Sequence, residues 1–287
     1  LENSVTVARD SHALVWSRNG KSFASLSLFG DVSIIDVKGY SSRLTTIDAD
    51  QYGLVTALRF ANKDRRLAYV TRGREGKVPG SRVHLLDIGP GQFKKVWSAE
   101  DVKRAAIKKL GDGYAFHDVA LSPSGDRMAW LAGPKNKAAG GKSVALVLET
   151  ATGKLRHTIE DLPATDQVDL ADDSTLVVHP ARPMKLEQPG PREGLVINLA
   201  DGRVRFTYPH RLTPEPYDGR YYFKHPAVWL PYRAIQGPSG LFIADDVGLV
   251  RRDSKTGKEL DACPLSQSWA PERRTGFAIA LRGGQIA

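Results

Sequence analysis

The chain has 287 residues, and its 41 lysines and arginines exceed its 32 aspartates and glutamates, which gives a net charge of +9 at neutral pH. The single cysteine, Cys263, excludes an internal disulfide framework, and the lack of a long apolar run excludes a transmembrane helix. We therefore expect a soluble, basic protein, and the composition leaves its compartment open between cytoplasm and periplasm.

Five polar turns recur along the chain at nearly regular intervals. Their first residues lie 51, 62, 49 and 55 residues apart, at Asp36, Asp87, Glu149, Asn198 and Asp253. Short runs of β-branched and other apolar residues flank the turns, as is typical of strands. A unit of this size cannot bury its own apolar face, so neighbouring units must stack against one another.

Most units have a second landmark, in which an apolar anchor residue is followed by a polar turn and then by another strand, whereas the fifth unit lacks a clear anchor. The spacing from anchor to alanine is eight residues in three units, from Trp16 to Ala24, from Phe60 to Ala68 and from Leu121 to Ala129. The turns contain Pro, Asn, Asp and Gly, which preset φ or tolerate positive φ. The two landmarks alternate in a fixed order, which favours a β-propeller over a β-sandwich with similar hairpins.

Two motifs carry a resemblance to known proteins. The segment LSPSGDRMAW from Leu121 to Trp130 resembles a repeat segment of WD-repeat and TolB-type β-propellers. The turns Thr152-Gly153-Lys154 and Thr256-Gly257-Lys258 are similar to a hairpin of the same families. The resemblance implies the propeller fold in a divergent, bacterial form, and it implies no particular reaction.

The repeat predicts an all-β fold, a β-propeller of four-stranded blades formed as one domain by residues 1–287. Complete units are predicted at 13–48, 54–98, 116–160, 167–207 and 212–262. A sixth unit starts at Ser268, and an N-terminal strand at residues 4–8 is expected to complete it and close the ring. Six blades are favoured, and seven stay open if the protein continues beyond Ala287. Prolines in the fifth unit predict irregular outer strands there.

One short helix is expected between the second and third units, over residues 98–111. Ser98 is suited to cap it with Asp101 three residues later, and Gly111 is suited to end it. Val102, Ala106 and Leu110 would form one apolar stripe. We expect this stripe to pack on the propeller, with docking to a partner as the alternative.

Most of the positive charge lies in three long connections between the second and third strands of their units. Residues 71–82, 133–142 and 180–193 carry net charges of +3, +3 and +1. Such connections share one face of a propeller, so we predict a basic face that attracts acidic partners. The alternative is that these charges only maintain solubility. The candidate partner-binding residues are Arg72, Arg74, Lys77, Arg82, Lys135, Lys137, Lys142, Arg182 and Lys185.

Signals for catalysis are weak. The seven histidines show no metal-ligand spacing, and we expect no metal, cofactor or catalytic residue. His117 lies just before an inner strand and is the one candidate for the central funnel. The sequence therefore favours a non-catalytic scaffold that binds a protein partner, with an acidic surface or nucleic acid still open. The alternative is a propeller enzyme of hydrolase or lyase type, or a small-ligand binder, with its site in the funnel.

Overall fold

The structure is a computed structural model in which most of the strands and their turns are described. The described residues are 11–17, 19–27, 31–36, 41–46, 54–72, 81–89, 91–106, 110–111, 113–135, 142–163, 165, 167–180, 192–210, 233–244, 248–264, 281–282 and 285–286.

The described chain forms five four-stranded antiparallel sheets, which are the blades of a propeller ring. The strands of blades 1 and 2 are β1 (Ser11–Trp16), β2 (Ser22–Ser27), β3 (Asp31–Asp36), β4 (Ser41–Thr46), β5 (Leu54–Ala61), β6 (Arg66–Arg72), β7 (Ser81–Asp87) and β8 (Phe93–Ser98). Those of blades 3 and 4 are β9 (Tyr114–Leu121), β10 (Arg127–Pro134), β11 (Ser143–Glu149), β12 (Leu155–Leu162), β13 (Gln167–Leu170), β14 (Thr175–His179), β15 (Arg192–Asn198) and β16 (Arg203–His210). Blade 5 and a C-terminal hairpin contain β17 (Arg233–Gly237), β18 (Gly240–Ala244), β19 (Gly248–Arg252), β20 (Glu259–Pro264), β21 (Leu281–Arg282) and β22 (Gln285–Ile286).

The apolar faces of each blade are covered by the neighbouring blade, as expected for a repeat of this length. The first strand of every blade contacts the first strand of the next, from β1 to β5, β9, β13 and β17. Four clusters of buried apolar side chains fill the four joints between successive blades. Trp130 is fully buried in the joint between blades 2 and 3, and Leu131, next to it, faces blade 4. The core is therefore a series of inter-blade layers, which confirms the propeller.

The number of blades differs from the sequence prediction. The described residues form five four-stranded blades, not six. The part of the chain predicted to form the sixth, residues 4–8 and 268–280, lies outside the described residues, and the remaining C-terminal strands β21 and β22 form only a two-stranded hairpin. Six was wrong for the described chain because the start of a unit at Ser268 does not by itself supply the four paired strands of a blade.

Blade 5 has one irregularity in its outermost strand. Leu260 of β20 is an extra residue opposite the step from Arg251 to Arg252 of β19, and the other strand pairs keep a continuous register. Pro238 lies in the short turn between β17 and β18, where it removes no interior ladder bond. The other prolines of the predicted fifth unit, Pro214, Pro216, Pro226 and Pro231, lie outside the described residues, so their effect on the outer strands stays a prediction.

The turns between the third and fourth strands join neighbouring blades. In blade 3 the Gly153 amide donates to the Glu149 carbonyl, and Gly153 has a φ of +68°. The Trp97 indole, from β8 of blade 2, lies directly against Gly153 and donates to the Thr150 carbonyl at 2.9 Å. Glycine is therefore required at position 153 for two reasons, because the backbone is left-handed there and because the indole leaves no room for a Cβ.

The turns between the first and second strands also link the blades, through side-chain oxygens. The Asn19 amide donates to Asp64 and the Asn62 amide donates to Asp126, each across one joint. The Ser124 hydroxyl donates to Asp173 across the next joint. The repeated polar turn seen in the sequence thus has a structural role, because it supplies one inter-blade hydrogen bond to each of these joints.

The predicted helix is present as α1 (Ala99–Ala106). The Ser98 hydroxyl and amide both donate to Asp101, and the Asp101 amide donates back to the Ser98 hydroxyl, which confirms the capping prediction. Val102, Ala106 and Leu110 are buried in the joint between blades 2 and 3, so the stripe packs on the propeller as expected. Within the described ranges, no helix combines the length and apolar character needed to cross a membrane.

Candidate interaction face

The antiparallel order of the strands gives the disc two different faces. In every blade the turns after the first and third strands emerge on one side, which we call the hairpin face. The connections after the second and fourth strands emerge on the other side, which we call the loop face. The ends of all three basic connections, and helix α1 between β8 and β9, therefore belong to the loop face.

Four of the nine candidate basic residues are described, and all four belong to the loop face. Arg72 ends β6 and Arg82 is the second residue of β7, whereas Lys135 follows β10 and Lys142 precedes β11. The other five, which lie outside the described residues, are Arg74, Lys77, Lys137, Arg182 and Lys185.

Two described lysines hold defined positions at the base of the blade 3 connection. The Lys135 amide donates to the Gly113 carbonyl at 2.8 Å, and its side chain is exposed. Lys142 forms an ion pair with Asp161 at 3.0 Å, and both side chains are largely exposed. An exposed ion pair contributes little free energy, so Lys142 can exchange Asp161 for a carboxylate of a partner at small cost.

Helix α1 lies beside the base of the blade 2 connection. Arg82 pairs in register with Ser98, the cap of the helix. Hydrogen bonds from Ser98, with smaller contributions from Arg104 and Arg82, lower the pKa of Asp101. Arg104 is exposed and lies 3.6 Å from Asp101. The helix thus adds an exposed arginine to the loop face. It lies along the chain between the described cations of blade 2 and those of blade 3.

The carboxylates of the hairpin face are used differently, because many of them hold turns or bind neighbouring cations. Asp253 accepts from the Lys255 and Thr256 amides, and these bonds lower its pKa. Asp87 contacts Arg66 at 2.8 Å and Lys94 at 3.1 Å. Charges of both signs are therefore mixed and locally paired on this face, and it offers less unbalanced charge than the three basic connections.

His117, the candidate funnel residue, lies within the innermost strand of blade 3, β9, and not just before it as the sequence predicted. Its neighbours Phe116 and Asp118 face successive residues of β10, so His117 is an extra residue that forms a β-bulge. Its imidazole lies against Gly133. The ring therefore covers the blade 3 sheet on the side that faces blade 4. A functional role for His117 stays a prediction.

The same bulge recurs in the first two blades. His12 in β1 and Thr56 in β5 are also extra residues of the innermost strand, four residues before the anchors Trp16 and Phe60. His117 stands four residues before its own anchor, Leu121. The bulge residue always stands four residues before the anchor, and this offset can be counted in the sequence. Only the pairing register of the strands, however, identifies the residue as a bulge.

A buried polar cluster in blade 4 was missed by sequence reasoning. The Tyr208 hydroxyl lies 2.8 Å from His179 Nδ1, and His179 Nε2 lies 3.3 Å from Asp169 Oδ2. The Ala234 amide of blade 5 donates to the same Asp169 oxygen at 3.1 Å. These residues are far apart in sequence and match no catalytic motif, so no local signal links them.

No metal centre is formed by the described part of the chain, where no group of three or more His, Cys, Asp or Glu side chains could hold an ion. His84 in blade 2 is buried, and its Nε2 lies 2.8 Å from the Thr71 hydroxyl. Burial, with a smaller contribution from the charge of Arg82, lowers the pKa of His84 to about 4. His84 is therefore a neutral, hydrogen-bonded residue of the blade 2 core.

The chain matches no protein-family model, and no curated protein matches it. The likeness to WD-repeat and TolB-type propellers therefore stays a resemblance of motifs.

Proposed function

We propose that this protein is a non-catalytic propeller scaffold that binds a macromolecular partner through its loop face. The partner that best fits this surface is an acidic protein. One observation carries the proposal: the ends of all three basic connections and helix α1 belong to the same face of the disc. A surface with one sign of charge increases the rate of encounter with partners of the opposite sign.

The proposal is supported by how the charge is divided along the chain. The three basic connections together contribute +7 of the net +9. The described lysines among them are exposed, and the one described ion pair there, between Lys142 and Asp161, is exposed as well. Exposed cations retain their ability to bind carboxylates of a partner. The similarity to WD-repeat and TolB-type propellers agrees with a scaffold, but it does not choose between functions.

Charge reversal on the loop face tests the proposal directly. The variant R72E/R74E/K135E/K137E lowers the net charge from +9 to +1. We expect this variant to bind a fluorescent polyglutamate peptide at least about tenfold more weakly, because each reversal replaces an attraction to the peptide by a repulsion. The affinity is measured by anisotropy at low salt, where charge interactions are least screened. A single-stranded oligonucleotide measured in parallel tests whether nucleic acid is the better ligand.

A matched control changes the same number of charges on the other face. Lys21, Lys63, Lys255 and Lys258 are exposed residues of hairpin-face turns, and K21E/K63E/K255E/K258E also gives a net charge of +1. We expect this control to retain most of the affinity for polyglutamate. Equal losses in the two variants would show that only the net charge matters, and the proposed binding face would then be wrong.

A second candidate function is a small-ligand or enzymatic site at the centre of the ring. The observation in its favour is the bulge at one repeat position of three consecutive innermost strands, because β-bulges are over-represented next to active sites. Native mass spectrometry of the purified protein tests this function. A bound small molecule that is lost in H117A would favour it over the scaffold.

A further inference from the structure

The joint between blades 4 and 5 contains a chain of three hydrogen bonds that starts at Tyr208. The Tyr208 hydroxyl lies 2.8 Å from His179 Nδ1. Because an ionised carboxylate can only accept, we assign the ring proton to Nε2, which faces Asp169, and Nδ1 then accepts from the Tyr208 hydroxyl. That proton is directed to Asp169 Oδ2 at 3.3 Å, and the same oxygen accepts the amide of Ala234 at 3.1 Å. The chain joins β16, β14 and β13 of blade 4 to β17 of blade 5.

The cluster breaks the apolar pattern of the repeat. Leu170 is the anchor of blade 4, and it pairs with Leu176. His179, three residues after Leu176, therefore occupies the position held by Val70 in blade 2 and by Leu131 in blade 3, both of them buried. Asp169, one residue before the anchor, corresponds to Ala120 of blade 3 and to the half-buried Arg59 of blade 2. A buried polar network costs free energy unless all its members are satisfied, so an apolar triplet would stabilise the joint more simply. Departures of this kind concentrate at functional or strained places.

The packing around the cluster holds its members in one arrangement. His179 is completely buried, and Asp169 and Tyr208 are nearly so. Gly194 lies directly beneath the Tyr208 ring, where any Cβ would overlap the phenol. The Thr165 hydroxyl donates to the backbone carbonyl of His179, the last residue of β14 at the loop face. A shift of any one member must therefore move the others.

We propose that Tyr208, His179 and Asp169 form a coupling device, which makes the inner edge of blade 5 open and close together with the loop-face end of β14. When the Tyr208 hydroxyl is absent, His179 Nδ1 loses this donor and the imidazole loses one of the contacts that orient it. The Asp169 carboxylate, which contacts the imidazole, is then positioned less firmly against the Ala234 amide. The effect crosses the joint although three hydrogen bonds separate the hydroxyl from that amide.

Amide hydrogen exchange in Y208F, followed by NMR, tests the coupling. We expect exchange at Ala234 to accelerate about tenfold, the factor expected for loss of one net hydrogen bond. The joint between blades 2 and 3 supplies an internal reference far from the cluster, because the Asn62 amide donates to Asp126 across it at 2.8 Å. Exchange at Asn62 should change less than about twofold, since distant sites act independently.

Two further variants complete the test. Y114F removes a hydroxyl from a half-buried tyrosine of β9 and should leave exchange at Ala234 unchanged. H179L introduces the leucine that blade 3 has at this position, and it should accelerate Ala234 as Y208F does, which covers the case that Y208F folds poorly. Unchanged exchange at Ala234 in Y208F, or equal acceleration at Ala234 and Asn62, overturns the coupling. Neither result depends on whether the loop face binds a partner.

Discussion

Replacing Gly153 with alanine tests how tightly the hairpin turns connect neighbouring blades. At a φ of +68° an alanine costs about 1–2 kcal/mol because its Cβ crowds the backbone. The new Cβ would also lie 2.5 Å from Cζ2 and Cζ3 of Trp97, far inside van der Waals contact. Relieving such an overlap costs about 1–3 kcal/mol more. We therefore expect G153A to lower the free energy of unfolding by about 2–5 kcal/mol.

Gly202 provides the matched control for this prediction. It has a nearly equal φ of +70° in the corresponding turn of blade 4, but its nearest neighbour, Ile159 Cδ1, would lie 3.7 Å from an added Cβ. G202A should therefore lose only the backbone contribution of about 1–2 kcal/mol. Urea unfolding monitored by tryptophan fluorescence measures both variants. Equal destabilisation by G153A and G202A would refute the argument that the Trp97 contact makes the difference.

Three further predictions concern the helix cap and the core. S98A should destabilise α1 by about 1 kcal/mol, seen as faster amide exchange in its first turn, because it removes the cap. The pKa of Asp101 is lower in the folded protein than the ordinary carboxyl pKa. The stability that this cap contributes should therefore be present above the ordinary carboxyl pKa and disappear as the pH falls through the pKa of Asp101 in the folded protein. S98A should abolish most of this pH dependence of stability. His84 should remain neutral by NMR until the pH approaches about 4, and its burial should destabilise the fold progressively below its ordinary pKa of 6.5. W130A should cost about 3–5 kcal/mol in urea unfolding, because it leaves a large cavity between blades 2 and 3; a loss below 1 kcal/mol would contradict the proposed core.

Local features of the sequence were sufficient for most of the strands. The second predicted unit, 54–98, has the same bounds as blade 2, and the third differs from blade 3 by two residues at each end. The helix was also predictable, because Ser98 and Asp101 satisfy its first amides through contacts only three residues apart. In each case the information lies within a few residues of the element that it determines.

Features that depend on distant contacts were not predictable in the same way. The anchors and turns predicted six units, but a complete sheet at the C-terminal end requires pairing with a remote part of the chain, and the described residues contain five. The basic connections were placed on one face by strand order alone, whereas their contribution to binding depends on a partner. The position of the His117 ring over Gly133 followed only from the bulge register.

The sequence by itself determined that this protein is a stack of small β-sheets with tight polar turns, because strand alternation and turn chemistry act over a few residues. Only the tertiary structure brought together Asp169, His179 and Tyr208 in one buried cluster, and only it placed the Trp97 indole against Gly153. These contacts join separate strands, and the contact of Trp97 with Gly153 crosses from one blade to the next. The geometry of packed sheets therefore decides them, and no local pattern in the chain encodes that geometry.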